Sequence, residues 1–231
     1  MKLNYKPSTE LEKFGDKVFN LLVENFSQTF YVGGMVRDLL LGKTVTDIDI
    51  ASISTPDQVK NILARSGILY NDAFQKFGVV VASKDQLTVE IATLRRDVPG
   101  RGRYPKVIYV GTPKIDSQRR DFTINALYLN PKSGKILDYH RGLNDLKNRR
   151  IKFIGKPLNR ILEDPLRIIR ALRFSAILGF KIDSSDYKVI QSCANELNKI
   201  TATRMQTEIN KIKTAAAKKL FKNLLLSVKN T

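Results

Sequence analysis

At 231 residues and 42% hydrophobic side chains, the chain is long enough for one large or two small domains and too apolar for a disordered one. Lys and Arg number 40 against 22 Asp and Glu, a formal charge of +18 that favours a polyanion, nucleic acid above all, over a merely solvated basic face. One cysteine, Cys193, and one histidine, His140, exclude an internal disulfide, a cysteine zinc cluster and a histidine-rich metal site, and point to a reducing compartment, cytoplasmic or organellar.

The N-terminal MKLNYKPSTE lacks the apolar core of a secretory signal, and no run approaches the ~20 apolar residues of a membrane span, so no membrane partner is expected. Apolar spacing predicts a helix around residues 8 to 25 and a strand at Thr29 to Val32. Gly33 and Gly34 then let the backbone approach a ligand closely, and MVRDLLL has the spacing of a short helix. A helix start offers backbone N–H groups and a positive dipole end to phosphate, and Arg37 adds a cation one turn on. A second strand is expected at Asp47 to Ile50. Its period of two puts Asp47 and Asp49 on one side and Ile48 and Ile50 in the core, so the two carboxylates can share hard cations such as magnesium. A Gly-Gly pair alone reads as a turn, and Asp-X-Asp alone as a solvated strand edge. Together, with Arg37 between them, they point to a nucleoside triphosphate and two-metal phosphoryl or nucleotidyl transfer.

Thr55-Pro56 starts another helix, and FGVVVAS with QLTVEIATL forms a hairpin tipped by Lys84-Asp85. Glu90 alternates with Val89 and Ile91, so it can stand as a third acidic group with Asp47 and Asp49, or as a plain exposed strand glutamate. In RRDFTINAL, Arg119, Arg120 and Asp121 precede a helix with Phe122, Ile124 and Leu127 as core. Arg120 can pair with phosphate, while Asp121 and Asn125 can meet a ribose hydroxyl; an N-capping aspartate with surface arginines is the alternative.

Near residue 141 the organisation changes. His140 reads as an ordinary polar residue at a domain joint, strands largely stop after Gly142, and three or four helical segments follow. In ILEDPLRIIRALRF, Asp164, Arg167, Arg170 and Arg173 recur every three residues and drift round one side of a helix. A carboxylate beside a guanidinium can match the hydrogen-bonding edge of a base. An ion-paired surface helix, with Asp164 near the cap and Pro165 in the first turn, is the rival reading. Gly179 suits a helix C-cap, Ser184 or Ser185 can cap the next helix, and Cys193 reads as a buried small hydrophobe.

GGMVRD, DIDIAS, VEIATLRRD, RRDFTINALYL and EDPLRIIRALRFSAILGF, in that order, closely resemble the class II CCA-adding tRNA nucleotidyltransferase and bacterial poly(A) polymerase family over essentially the whole chain. The resemblance implies an α+β chain: a polymerase-β-type nucleotidyltransferase head over residues 1–141, followed by an all-helical neck over 142–231 that selects nucleotides and binds RNA. It implies metal binding by Asp47 and Asp49, triphosphate binding by Gly33, Gly34 and Arg37, and nucleotide and ribose contacts by Arg120 and Asp121. Asp164 and Arg167 would choose the base, Arg170 and Arg173 would line the nucleotide site, and Arg204 and Glu208 in ATRMQTEINKI would stabilise the neck. RDVPGRGRYPKVIYVGTPKID stands in the place of the family's flexible loop, with Tyr104 where a histidine is common.

The activity so implied is addition of CMP and AMP, from CTP and ATP with Mg2+, to the 3′ end of tRNA. Poly(A) addition to RNA 3′ ends and partial CC- or A-addition share these motifs. Set against the resemblance, the sequence stops soon after the neck, so the family's body and tail domains are expected to be missing, which leaves open a partner chain that supplies them, a reduced enzyme, or an inactive RNA-binding fragment.

Overall fold

The computed structural model describes residues 2–98 and 106–229; Tyr104 lies outside the described residues. The chain divides into two compact units, residues 1–120 with 125–139 and residues 121–124 with 140–231.

In the first unit, helix α1 (Glu10–Val23) starts with a reciprocal cap. The Thr9 hydroxyl accepts from the Glu12 N–H at 3.2 Å, and the Glu12 carboxylate accepts from the Thr9 N–H at 2.9 Å. Phe14, Val18, Phe19 and Leu22 recur at helical spacing and are buried, each contributing about 2 kcal/mol. Gly15 belongs to the same face; a Cβ there would run into Ile48 Cδ1, so a missing side chain lets α1 close onto the strand beneath.

That strand, β2 (Ile48–Ser52), lies inside a seven-stranded sheet. The others are β1 (Thr29–Val32), β3 (Leu69–Asn71), β4 (Val79–Lys84), β5 (Leu87–Thr93), β8 (Leu127–Leu129) and β9 (Ile136–Asp138), in the order β3-β4-β5-β2-β1-β8-β9. β2 runs parallel to β5 and antiparallel to β1, with Ile48 and Ile50 buried as their period predicts. Asp47 was expected to open β2 but stands one residue before it. The register begins with Ile48 opposite Val89, and Asp47 Oδ2 accepts from its neighbour Thr46 Oγ1 at 2.9 Å. The hairpin turn likewise falls one residue later than expected, at Asp85-Gln86. Lys84 pairs with Leu87, and Asp85 takes φ 54°, a left-handed conformation that aspartate tolerates. Helix α2 (Gly34–Leu40) follows β1, and α3 (Pro56–Arg65) starts on a Thr55–Gln58 capping box. A separate ribbon, β6 (Arg95–Val98) with β7 (Lys106–Tyr109), precedes the short helix α4 (Pro113–Ser117).

The second unit is helical: α5 (Gly142–Lys147), α6 (Pro157–Glu163), α7 (Leu166–Leu178), α8 (Ser184–Ser192), α9 (Ala202–Asn210) and α10 (Ala215–Lys229). It also carries a two-residue parallel ladder, β10 (Arg150–Ile151) with β11 (Lys181–Ile182), which the periodicity did not predict. The helix expected through ILEDPLRIIRALRF breaks at Asp164, which is extended at φ −152° and ψ 103°. Pro165 causes the break, because it has no N–H and crowds a helical residue before it. Gly179 ends α7 at φ 66°, its N–H donating to Ser175 O, as expected. The cap of α8 is Asp183, not Ser184 or Ser185. Its carboxylate, the stronger acceptor, takes the Ser185 N–H at 3.1 Å. Phe122 packs against Phe153 and Phe174, with ring centroids 4.9 and 5.7 Å apart, and Cys193 is buried.

Among the described residues, no helix is long and apolar enough to cross a membrane.

Candidate active site

Gly33 links β1 to α2 at φ 76° and ψ −135°, a conformation that costs other residues energy. A Cβ added there would lie 3.1 Å from Asp49 Oδ2 and 3.8 Å from Arg120 Nη1. The turn, one carboxylate and one guanidinium, expected from three separate motifs, therefore meet at one place. Asp49 is half-buried on β2, directly beside Glu90 in the parallel register with β5, while Asp47 and Glu90 are exposed. Burial first, then the Glu90 charge and the Asp47 charge, push Asp49 up from 3.8 to about 6, although Arg120 and Arg37 pull the other way. This excess of neighbouring negative charge, made of hard oxygen donors, fits a divalent cation. Among the described residues, no group of three or more His, Cys, Asp or Glu side chains is placed to hold a metal ion by itself. A magnesium-like ion needs none, since it keeps several waters and takes ligands from substrate phosphate.

Gly34 opens α2, where an added Cβ would stand in ordinary contact, 3.5 Å from Arg37 Nη2. Arg37 is buried, with Nε and Nη2 donating to the two Asp38 oxygens at 2.9 and 2.7 Å and Nη1 donating to Asn125 Oδ1 at 2.7 Å. Asn125, expected near a ribose hydroxyl, thus anchors the arginine expected on the triphosphate.

Arg120 is anchored from behind. Nε donates to the Tyr128 hydroxyl at 3.0 Å, Nε and Nη2 donate to Asp116 Oδ2 at 3.3 and 3.2 Å, and the guanidinium stands 5.2 Å from the Tyr128 ring centroid. Tyr128 in turn donates to the same Asp116 oxygen at 2.6 Å. The other oxygen, Oδ1, accepts from Arg119 Nε at 2.8 Å and from the Arg95 N–H at 3.0 Å. Burial alone would raise the Asp116 carboxyl, but Arg120, Arg119, the Tyr128 hydroxyl and the Arg95 N–H together hold it at about 2. Neither Asp116 nor Tyr128 was expected at the site. The available signal was the spacing of Asp116, three and four residues before Arg119 and Arg120.

In the second unit, Asp121 Oδ1 accepts from the Phe122 N–H at 2.8 Å, and its Oδ2 accepts from Arg170 Nε at 2.7 Å and meets Nη2 at 2.6 Å. Burial disfavours the Arg170 charge, yet Asp121 and Glu208 outweigh it and raise its basicity. Arg173 is buried against Glu208, with Nε donating to Oε2 at 2.7 Å, and Arg170 Nη1 reaches Glu208 Oε1 at 3.6 Å. Asp164 Oδ1 accepts from the Leu166 N–H at 3.1 Å, next to the α7 cap at Pro165, which is where the rival reading placed it. The Arg204 fork also grips both its oxygens, at 3.1 and 2.8 Å. Arg167 Nη1 donates to Glu163 Oε2 at 2.6 Å and to Arg160 O at 2.7 Å. The row of four therefore does not face one way: Arg170 and Arg173 join a carboxylate network inside the unit, while Asp164 and Arg167 are half-buried, each on its own partner.

Residues 29–152 match the model of the poly(A) polymerase head domain, and residues 179–225 match that of a probable RNA- and SrmB-binding site of polymerase A. The chain is 38% identical over 214 residues to the CCA-adding enzyme of Streptococcus pyogenes serotype M2, covering 92% of this chain and 52% of that one. It is 38% identical over 187 residues to the CCA-adding enzyme of Streptococcus gordonii, covering 80% and 46%. The chain thus spans about half the length of the curated relatives it matches. Its structure resembles the Bacillus stearothermophilus CCA-adding enzyme in complex with CTP, with a TM-score of 0.78 at 30% identity over 88% of this chain and 49% of that one. It also resembles a tRNA nucleotidyltransferase complexed with a primer tRNA and an incoming ATP analogue, with a TM-score of 0.72 at 32% identity over 87% and 57%.

Proposed function

The chain belongs to the poly(A) polymerase head-domain family, and on that premise we propose that it adds CMP and AMP to the 3′ end of tRNA from CTP and ATP, without a nucleic-acid template. The observation that carries this reading is the meeting of Asp49 Oδ2, Arg120 Nη1 and the Gly33 turn, with the Glu90 carboxylate pressing negative charge on Asp49 from beside it in the β2–β5 register. A carboxylate under that pressure is poised to take a divalent cation, for which magnesium is our assignment, held by Asp47 and Asp49 with Glu90 beside them.

When bound, magnesium would acidify the attacking 3′-hydroxyl and neutralise the triphosphate. The chain's own residues position and screen. Gly33 and Gly34 admit the triphosphate close to the backbone, Arg37 and Arg120 supply fixed positive charge, and Asp121 addresses the ribose. We assign base recognition to Asp164 and Arg167, which would exchange their contacts with Arg204 and Glu163 for the base edge as acceptor and donor. In the reaction the RNA 3′-oxygen bonds to the α-phosphorus and pyrophosphate leaves, with no covalent protein intermediate. The +18 charge suits an RNA substrate whose binding weakens as salt rises.

The test supplies a tRNA ending at its discriminator base, magnesium, and labelled CTP and ATP singly and together, with products resolved at single-nucleotide length. Termination after CCA supports the reading, and long tails from ATP alone would replace it with poly(A) addition. RNA binding without any extension, in the chain and in Asp47→Ala alike, would leave an RNA-binding fragment.

A further inference from the structure

The proposed chemistry gives Asp116 and Tyr128 no role, yet among the described residues Asp116 is the most heavily bonded carboxylate of the first unit. The Asp116 side chain is wholly buried, receives Arg119, Arg120, Tyr128 and the Arg95 N–H, and sits on α4 behind Arg120. A buried carboxylate with this many donors has both oxygens committed, so it cannot itself serve a metal or substrate. What it can do is fix its partner. Asp116 and Tyr128 take Nε and Nη2 of Arg120, and Nη1 is the nitrogen that comes within 3.8 Å of the Cβ position at Gly33, where Asp49 also stands.

We propose that Asp116 is a positioning residue for nucleotide binding. With Tyr128 it holds the Arg120 guanidinium beside Asp49 and the Gly33 turn before the triphosphate arrives. The proposal rests on reading Arg120 as a nucleotide contact and deepens it. A long arginine side chain left alone would lose rotamer freedom on meeting phosphate; one already clamped has less to lose, and its charge is pre-oriented. The raised acidity of Asp116 agrees, since it keeps the carboxylate ionised, and the clamp closed, throughout the neutral range.

The competing explanation is that Asp116 serves folding alone. A double-mutant cycle separates the two. CTP with magnesium is titrated calorimetrically into the full chain and into Asp116→Asn, Tyr128→Phe, Arg120→Ala and the Asp116→Asn/Arg120→Ala double variant, with melting curves to establish that each is folded. Arg120→Ala and Asp116→Asn should each weaken CTP binding about tenfold, the worth of one charged hydrogen bond. The double variant should bind no more weakly than Arg120→Ala, because without the arginine there is nothing left to position. Tyr128→Phe should lose affinity to a smaller extent, and it carries the test if Asp116→Asn fails to fold. Unchanged affinity in Asp116→Asn, or in Tyr128→Phe in its place, overturns the proposal, and so do losses that simply add in the double variant. If Arg120→Ala binds CTP normally, the nucleotide role of Arg120 itself is wrong and the proposal falls with it.

Discussion

Replacing Asp116 by Asn preserves its shape and removes its charge, so the stability of the first unit should lose a pH-dependent contribution that can be worked out in advance. The carboxyl is held near 2 in the folded chain against an ordinary 3.8. At about 1.4 kcal/mol per tenfold change in acidity, that displacement corresponds to roughly 2 kcal/mol. Because the folded value lies below the unfolded one, this stabilisation is complete above 3.8 and fades as pH falls from there towards 2. At about pH 3 roughly half of it remains. Urea unfolding should therefore show a gap between the native chain and Asp116→Asn that narrows by about 1 kcal/mol from about pH 7 to about pH 3. Taking the difference between the two proteins cancels the other carboxylates that titrate over the same range. The chain has no tryptophan and 8 tyrosines, so tyrosine fluorescence and far-UV circular dichroism are the probes. A gap of constant size would refute the argument, since it would mean that Asp116 is not held ionised by Arg119, Arg120 and Tyr128.

Gly33→Ala combines a conformational cost of about 1–3 kcal/mol with a contact that pushes on Asp49 Oδ2. Melting should fall by several degrees, and the magnesium requirement for nucleotide incorporation should rise. Arg37→Lys cannot span the two Asp38 oxygens and Asn125 with one ammonium group, so the KM for CTP and ATP should rise by about tenfold while the fold survives. Glu208→Gln leaves the buried Arg173 guanidinium without its counter-charge and should cost the helical unit about 3 kcal/mol, measured by thermal unfolding. Arg170 and Arg173 also lower the Glu208 carboxyl below its ordinary value, against the effect of burial. Its stabilisation is therefore present above that value and lost as pH falls through the carboxylate range, and Glu208→Gln should flatten this part of the acid profile.

Local pattern determined the pieces of this protein. Thr29–Val32 forms the strand its short apolar run predicts and is buried along its whole length, Thr55-Pro56 and Gly179 punctuate helices as their backbone chemistry requires, and the burial of Ile48 and Ile50 follows from a period of two. Pro165 broke a helix that apolar spacing alone would have run through, a sign that periodicity reports a face and not an end. The sequence also supplied Gly33, Arg37, Asp49, Arg120 and Asp164, because glycines, paired acids and arginines at fixed spacing are chemically conspicuous. It could not supply their partners. Arg37 meets Asn125 across 88 positions, Asp164 meets Arg204 across 40, and Asp49 lies beside Glu90 through the parallel register of β2 and β5. Asp116, four residues from Arg120, was near enough to be seen, but a single aspartate in a short helix is usually solvent-exposed. Only the burial of that helix turned it into the anchor of Arg120. Spacing along a chain constrains neighbours within a turn or a pleat. Which distant groups lose water together is decided by strand order and helix packing, and it is that shared desolvation that makes a surface carboxylate a clamp and raises Asp49 towards neutrality.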